Sequence, residues 1–323
     1  MTRKDLYVMD PLERVDPTAD TTFDFLVEGQ SRGVENWVCG IADLYSVGAR
    51  GFARARRVEV MRPDEQGAPH CKWMSDEQQI AFDDCHVIWM RKDPPVDENF
   101  MLATHILDRH DPQKTLMMND PAGLRVANEK LWGLFADALG PHTVVSARSD
   151  ILIAEVERMG RGVVKPIGFA GGAGVMAFDK DDKNLKAAVD LLTENSTRAA
   201  VVQEYLPQVR EGDKRVILVG GEAIGAVLRV PQGDDHRSNM HVGGSVAQAD
   251  VDDTDRKIAA VLGPELVKLG LHFVGIDVIG GQLTEVNVTS PTGVQEIDVL
   301  DKREGKDRMS AQVFDYVESK LPR

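Results

Sequence analysis

Three oxygen-bearing side chains near the carboxyl end of the chain have a spacing that suits a metal ion. The stretch is Gly275-Ile-Asp277-Val-Ile-Gly-Gly-Gln-Leu-Thr-Glu285-Val-Asn287. Glu285 and Asn287 stand two residues apart, so on a strand both side chains point to one face. Asp277 joins that face if the turn takes an odd number of residues, and a register shift by one would remove it. Converging oxygens would suit Mg²⁺ (or Mn²⁺) shared with nucleotide phosphates; a half-solvated hairpin is the alternative.

A glycine-rich stretch could cradle phosphate groups, because glycine lets backbone N–H groups approach an anion. It is Gly168-Phe-Ala-Gly171-Gly172-Ala-Gly174. No Gly-Lys-Ser/Thr follows it, and Val175-Met-Ala-Phe178 predicts a strand rather than a helix, so it is neither a Walker A loop nor a dinucleotide fingerprint. We expect a flexible loop between antiparallel strands, with a plain hairpin turn as the alternative.

Four basic residues stand where they could meet anionic groups. Lys165, before Pro166 at the end of an apolar strand, would point a cation towards the glycine loop, and Lys130 would offer a second. Arg229 ends an apolar strand and Arg237 lies in the polar loop that follows, where cations could hold a carboxylate or stabilise charge during phosphoryl and acyl transfer. The alternatives are solvated surface lysines and a loop without function.

The elements that would position these residues follow two patterns of secondary structure. The first third alternates strands at Leu6–Met9, 36–39, 87–90 and 116–118 with a helix before Gly33, which predicts a small parallel sheet. Residues 51–80 suit a peripheral hairpin and loop. No GxGxxG motif follows Leu6–Met9, which disfavours a Rossmann-type NAD domain and an oxidoreductase.

The rest of the chain predicts antiparallel strands with intervening helices. A helix should start at Pro121 with Asp120 as its N-cap and continue through residues 128–130 to about Leu139. Strands are expected at 163–166, 175–178 and 200–203, hairpins at 215–230 and 273–288, helices at 182–194 and 254–269, and a long loop at 231–245.

Bulk composition limits the partners. The 323 residues, 42% of them hydrophobic, suit about two domains by length alone, and 38 basic against 52 acidic residues leave a net charge of −14. This charge works against nucleic-acid or anionic-membrane partners. The three cysteines fit neither a disulfide framework nor a zinc site, and no signal-peptide core or membrane span is present in the sequence. We therefore expect a cytoplasmic protein.

Taken in order, these pieces resemble the bacterial glutathione synthetases of the ATP-grasp superfamily over essentially the whole chain. Two segments carry most of the specificity, Met90-Arg-Lys-Asp-Pro-Pro95 and Asn287-Val-Thr-Ser-Pro-Thr292. Looser matches are Val8-Met-Asp-Pro11, Asn128-Glu-Lys130, Gln203-Glu-Tyr-Leu-Pro207, Gly212-Asp-Lys-Arg215 and Arg229-Val-Pro-Gln-Gly233.

The resemblance implies an α/β fold of mixed α+β type: a small parallel α/β domain followed by a two-part ATP-grasp fold with antiparallel sheets. We expect the parts at residues 1–120, 121–203 and 204–323. It implies ATP as co-substrate, γ-L-glutamyl-L-cysteine and glycine as the substrates that are joined through an acyl phosphate, and a homo-oligomer.

The resemblance also implies roles for individual residues. Nucleotide binding falls to Lys130 and Lys165 at the phosphates with Gly171 and Gly172, to the backbone of Gln203, Glu204, Tyr205 and Leu206 at adenine, and to Asp213 near the ribose. Metal binding falls to Asp277, Glu285 and Asn287, catalytic charge stabilisation to Arg215, Arg229 and Arg237, and peptide binding to Ser290 and Thr292.

Two departures from the family pattern affect the acid-binding side. Ser245 stands where a basic residue is expected after the long loop, and Gln295 stands where an arginine is common. An ATP-grasp ligase for another acid and amine, and a catalytically silent nucleotide-binding module, are the two alternatives. Substrate-dependent ADP release would separate all three.

Overall fold

The computed structural model describes residues 2–62, 69–169, 171–231 and 245–322. The helices are α1 Thr21–Ser31, α2 Glu98–Leu107, α3 Pro121–Val126, α4 Ser149–Met159, α5 Leu185–Leu192, α6 Asp253–Lys268, α7 Val294–Asp301 and α8 Met309–Lys320. The strands are β1 Lys4–Val8, β2 Glu35–Cys39, β3 Leu44–Val47, β4 Arg50–Val60, β5 Cys71–Trp73, β6 Gln78–Ala81, β7 Val87–Met90, β8 Leu116–Met118, β9 Thr143–Ser146, β10 Arg161–Pro166, β11 Met176–Asp179, β12 Ala200–Glu204, β13 Asp213–Val219, β14 Glu222–Val230, β15 Ser245–Ala249, β16 Phe273–Ile279 and β17 Gln282–Asn287.

The amino-terminal sheet has a parallel centre, as its apolar strands predicted. β1 pairs in parallel with β2 and β7, and β7 pairs in parallel with β8. Leu6, Tyr7 and Val8 on β1 are fully buried, as expected for a strand covered on both faces. The carboxyl ends of these parallel strands therefore meet at one edge, the usual ligand-binding edge of such sheets.

The hairpin predicted within residues 51–80 is present as the antiparallel pair β4–β5, but it belongs to the main sheet and is not peripheral. β4 is an 11-residue strand that pairs with β2 and extends the sheet in the antiparallel direction. Ala53 and Ala55 are buried while Arg54 is exposed, so the alternation keeps the arginine on the solvent side. β3, β5 and β6 also pair with β4, which makes the whole sheet mixed.

The helix predicted from Pro121 to Leu139 begins where expected and ends early. The Asp120 side chain caps it by accepting from the backbone N–H groups of Ala122 and Gly123. α3 ends at Val126, and a separate 3₁₀ segment covers Trp132–Leu139. Between them the carbonyl of Glu129 accepts from the backbone N–H of Val286 at 3.0 Å. This contact with β17 replaces helix continuation.

Two antiparallel sheets follow. One has the strand order β11-β10-β12-β9 and the other β15-β14-β13-β16-β17. The two predicted hairpins turn at Gly220-Gly221 and Gly280-Gly281, and all four of these glycines have positive φ, which a two-residue hairpin turn of this hand requires. The predicted domain boundaries at residues 120 and 203 stay a prediction. No helix in the described ranges is long and apolar enough to cross a membrane.

Candidate active site between the two antiparallel sheets

The β16–β17 hairpin brings the three predicted metal ligands together. Asp277 pairs directly with Glu285, and a bulge between Asp277 and Val278 sets this register. The amide of Asn287 donates to the Asp277 carboxylate at 3.2 Å, which leaves its carbonyl oxygen as the acceptor. The condition stated from sequence, that Asp277 shares the face of Glu285 and Asn287, is confirmed by this pairing.

Asp277 is also held by two arginines from neighbouring strands. Arg215 on β13 donates from Nε to Asp277 Oδ1 at 2.5 Å and from Nη2 to Oδ2 at 3.1 Å. Arg229 on β14 lies 2.9 Å from the same carboxylate. All three residues are at most 6% exposed. Burial opposes ionisation, yet the two guanidinium groups hold the pKa of Asp277 below its usual range.

Arg229 bridges two carboxylates. It donates to Asp213 at 2.5 Å and contacts Asp277 on the other side. Burial raises the pKa of Asp213 to about 6, even though the charge of Arg229 acts in the opposite direction. Arg229 is 4% exposed, and its Nε has no hydrogen-bond partner among the described residues. A buried donor without a partner suggests that a ligand atom completes this site.

Both predicted phosphate-binding lysines face the same space and are held differently. Lys130 donates to the carbonyl of Phe169 at 2.5 Å and pairs with Glu285 at 3.0 Å. Lys165 on β10 donates to Gln203 Oε1 at 2.7 Å, and burial lowers the pKa of its ammonium group. Both lysines therefore line one cavity with the hairpin residues Asp277 and Glu285.

That first cavity, of about 810 Å³, lies between the two antiparallel sheets. All nine residues predicted to bind the nucleotide line it: Lys130, Lys165, Gly171, Gly172, Gln203, Glu204, Tyr205, Leu206 and Asp213. The ring of Tyr205 is fixed by the guanidinium of Arg161, 4.1 Å from its centroid. Gly171 and Gly172 both have positive φ, as a glycine-rich cradle requires.

A second cavity, of about 2150 Å³, opens towards the amino-terminal sheet. The described residues predicted for catalytic charge stabilisation and peptide binding line it: Arg215, Arg229, Ser290 and Thr292. Phe169, Gly171, Asp277 and Glu285 line both cavities. A phosphate chain entering from the first cavity and a carboxylate from the second would therefore meet at Asp277 and Glu285.

Glu129 is a site residue that the sequence analysis missed. Its Oε1 accepts from the backbone N–H groups of Val288 and Thr289 and from the Thr289 hydroxyl at 2.9–3.1 Å. Burial and the charge of nearby Glu285 raise its pKa. Glu129 thereby fixes the strand end that carries Asn287. The sequence signal that could have identified Glu129 is its position directly before Lys130. Its hydrogen-bond partners, however, lie about 160 positions away in the sequence.

The amino-terminal sheet supplies a wall of the second cavity that sequence spacing did not reveal. Asp10 follows β1 and Asp93 follows β7, at the carboxyl edge of the parallel strands, and both line the cavity with the loop before α1. Next to them, Arg91 is buried, donates to the Pro291 carbonyl at 3.0 Å and to Thr22, and burial lowers its pKa to about 10.

Two residues singled out from the sequence, Arg237 and Gln295, were expected on the side of the site that binds the acid. Arg237 lies outside the described residues. Gln295, at the position where the family pattern has arginine, accepts from Arg62 at 2.9 Å and donates to the Asp20 carbonyl at 2.7 Å. Arg62, from the end of β4, therefore brings a guanidinium group to the side of Gln295.

The donor set suits a hard cation. Glu285 and Asn287 offer a carboxylate and an amide oxygen on one face, with Asp277 beside them. No group of three or more histidine, cysteine, aspartate and glutamate side chains within the described ranges is arranged for metal binding. A metal ion at the hairpin would therefore use the amide oxygen of Asn287 as a ligand.

Comparison with known proteins identifies relatives of this chain. Residues 4–125 match the family model "Prokaryotic glutathione synthetase, N-terminal domain", and residues 129–302 match "Prokaryotic glutathione synthetase, ATP-grasp domain". The chain is 42% identical to the glutathione synthetase of Thermosynechococcus vestitus over 91% of its length and 94% of that protein. It is 39% identical to that of Escherichia coli O127:H6, over 97% of both chains.

Solved structures show the same fold at low sequence identity. The D-cycloserine synthetase DcsG superimposes with a TM-score of 0.64 at 17% identity, covering 98% of this chain and 99% of that one. The ATP-grasp ligase PsnB, complexed with a minimal precursor, gives a TM-score of 0.63 at 19% identity and 99% coverage of both chains. These similarities support the ATP-grasp architecture of the two antiparallel sheets.

Proposed function

The chain belongs to the prokaryotic glutathione synthetase family, and we propose that it joins γ-L-glutamyl-L-cysteine to glycine where its two cavities meet. It is an ATP-dependent ligase, with ATP as its co-substrate. One observation carries the assignment of the site: the two cavities share Asp277 and Glu285, with lysines lining the first cavity and arginines lining the second.

We assign the first cavity to ATP. The segment from Gln203 to Leu206, which lines this cavity, would hold adenine through its backbone, and Asp213 would lie near the ribose. Lys130 and Lys165 would neutralise phosphate charge. Lys130 is already directed there by the Phe169 carbonyl and Glu285, so ATP binding would exchange the carbonyl for a phosphate oxygen.

We assign Mg²⁺, with Mn²⁺ as the alternative, to Glu285, Asn287 and Asp277. When bound, a divalent cation neutralises charge on the transferred phosphoryl group. The Asp277 carboxylate contacts both Arg215 and Arg229. One carboxylate therefore positions the two guanidinium groups beside the proposed metal ion. Glu129 keeps the strand end that carries Asn287 in register.

In the first chemical step, an oxygen of the cysteinyl carboxylate attacks the γ-phosphorus of ATP and the bond to the β-phosphate oxygen breaks. Arg215 and Arg229 hold the carboxylate, and the free Nε of Arg229 is a donor available to it. The products are ADP and an acyl phosphate. Positioning and charge neutralisation account for such catalysis without a side-chain nucleophile.

In the second step, the amine of glycine attacks the acyl carbon, the bond to the phosphate oxygen breaks, and an amide forms with loss of one proton. Water competes with glycine at this point. Phe169 lines both cavities with an exposed phenyl group, where it would shield the acyl phosphate. Ser290 and Thr292 would contact the peptide.

The test measures ADP release with ATP and Mg²⁺ for γ-glutamylcysteine plus glycine, for each alone, and for other acid and amine pairs. We expect release to require both substrates and to equal the glutathione formed. Release only with another pair would keep the ligase mechanism and overturn the glutathione assignment, and no release with any pair would favour a silent nucleotide-binding module.

Two features of the setting are proposed with it. The three cysteines are free thiols, which agrees with the reducing cytoplasm as the site of reaction. The family resemblance supports a homo-oligomer, which light scattering of the purified protein would test.

A further inference from the structure

The second cavity, where the peptide would bind, carries different charged groups at its two ends. Arg215 and Arg229 lie at the end next to the nucleotide, together with Asp277 and Glu285, whose charge the proposed metal ion would neutralise. The other end is lined by five carboxylates, Asp10, Asp16, Asp20, Asp93 and Glu296, and Arg14 is the cation at that end among the described lining residues. A ligand with an anionic group at one end and an ammonium group at the other would fit one orientation only.

Most of these carboxylates already have partners. Asp10 pairs with Lys92 at 2.9 Å, Asp16 accepts from Thr18, and Asp20 caps α1 by accepting from the backbone of Phe23. Asp93 is exposed to water. These groups shape the local potential, but a ligand would have to compete with existing contacts or with solvent to bind them.

Glu296 differs from the other four. It lies in the first turn of α7, and its Oε2 is buried without a hydrogen-bond partner among the described residues. Burial, followed by the charges of Asp16 and Asp20, raises its pKa. A buried carboxylate oxygen without a donor is costly, and a ligand ammonium group would remove that cost.

The turn that carries Glu296 is firmly anchored. The adjacent Gln295 is 6% exposed, donates to the carbonyl of Asp20 and accepts from Arg62. These contacts hold α7 against the loop before α1, which carries Asp16 and Asp20. Glu296 is therefore presented to the cavity at a fixed position rather than on a free surface.

Given the proposed function, on which this step rests, the acid substrate has matching ends. Its reacting cysteinyl carboxylate belongs beside Arg229, whose buried Nε has no partner in the part of the chain that the structure describes. Its other end carries the α-ammonium group of the glutamyl residue. We propose that Glu296 binds this ammonium group and thereby makes the enzyme selective for γ-glutamyl peptides over acids that lack it.

The experiment combines a protein change with a substrate change. N-glutarylcysteine is γ-glutamylcysteine without the α-amino group, and γ-aminobutyrylcysteine is γ-glutamylcysteine without the α-carboxyl group. The wild type should prefer γ-glutamylcysteine over N-glutarylcysteine, from which it differs only by the ammonium group, by about 10- to 100-fold in kcat/KM, the range for a charged hydrogen bond.

Glu296→Gln should lose this preference. Its kcat/KM should fall for γ-glutamylcysteine and γ-aminobutyrylcysteine and stay within about twofold for N-glutarylcysteine, as a double-substitution cycle requires. Glu296→Asp should recover part of the loss. Glu304→Gln, an exposed glutamate beyond the end of α7, is the matched control and should change none of the three values.

The outcomes separate the two proposals. Failure of the wild type to form glutathione would defeat the proposed function. Glutathione formation by the wild type, with equal losses for all three acids in Glu296→Gln, would overturn the ammonium role and leave a structural one. The comparison of probes on the wild type holds even if a variant folds poorly, since absence of any preference for the ammonium group also overturns the inference.

Discussion

Replacing Arg229 with methionine removes the charge that Asp213 and Asp277 share while keeping much of the side-chain volume. Asp277 retains Arg215 at 2.5 and 3.1 Å, so most of the cost falls on Asp213, which loses its contact at 2.5 Å. Breaking a buried ion pair costs about 3–5 kcal/mol. Over 323 residues, with an unfolding entropy of about 2.1 cal/mol/K per residue, this lowers Tm by about 4–7 °C.

The loss should depend on pH. Burial already raises the pKa of Asp213 to about 6 with Arg229 present, and removing that cation moves the pKa further upward. A carboxyl group whose pKa is higher in the folded state binds its proton more tightly there. The free energy of unfolding therefore falls as pH rises from the unfolded pKa to the folded one. This window closes near pH 6 in the wild type and extends higher in the variant.

Calorimetry of Arg229→Met and wild type at pH 5 and pH 8 measures both effects. We expect the larger difference in Tm at pH 8, and we expect Asp213→Asn to restore most of it in the double variant. A fall of less than about 1 °C at pH 8, or an equal fall at both pH values, would refute the reasoning that the loss of the Arg229 charge beside Asp213 carries the cost.

Three further predictions concern single contacts. Glu285→Ala should lower kcat for ADP release by about 100-fold or more with an unchanged circular dichroism spectrum; unchanged turnover would remove the metal assignment. The Thr143 hydroxyl accepts from Gln203, and Gln203 in turn orients Lys165. Thr143→Val should therefore raise KM for ATP about fivefold, while Thr143→Ser should not. Equal KM values for the two variants would disprove the positioning role. Gly123→Ala would place a Cβ 2.1 Å from the Leu269 carbonyl and should cost about 1–3 kcal/mol by calorimetry, whereas a neutral effect would show that α3 can shift.

The hairpin of the candidate metal site could be predicted because its signals are local. Gly280-Gly281 fixes the turn, and the alternation around Glu285 and Asn287 fixes the face. The pairing of Asp277 with Arg215 and Arg229 could not be predicted this way. Those contacts depend on the order of strands in the five-stranded sheet, which the sequence pattern does not specify.

Long-range contacts also explain the errors. The helix predicted to Leu139 ends at Val126 because the backbone of Glu129 pairs with Val286, and local propensity holds no information about that partner. The proposed role of Glu296 rests on an oxygen that has no donor among the described residues, which local sequence does not reveal. Local pattern is informative about periodicity and turns, and much less about which distant groups meet.

The two cavities share only Phe169, Gly171, Asp277 and Glu285 among their described lining residues. The other described lining residues belong to one cavity alone. Mutational drift in the amino-terminal loops could therefore alter which acid is accepted without disturbing the nucleotide. A change in any of the four shared residues would instead alter both acid binding and nucleotide binding. We therefore expect natural or engineered diversification of such a ligase to change the lining of one cavity at a time.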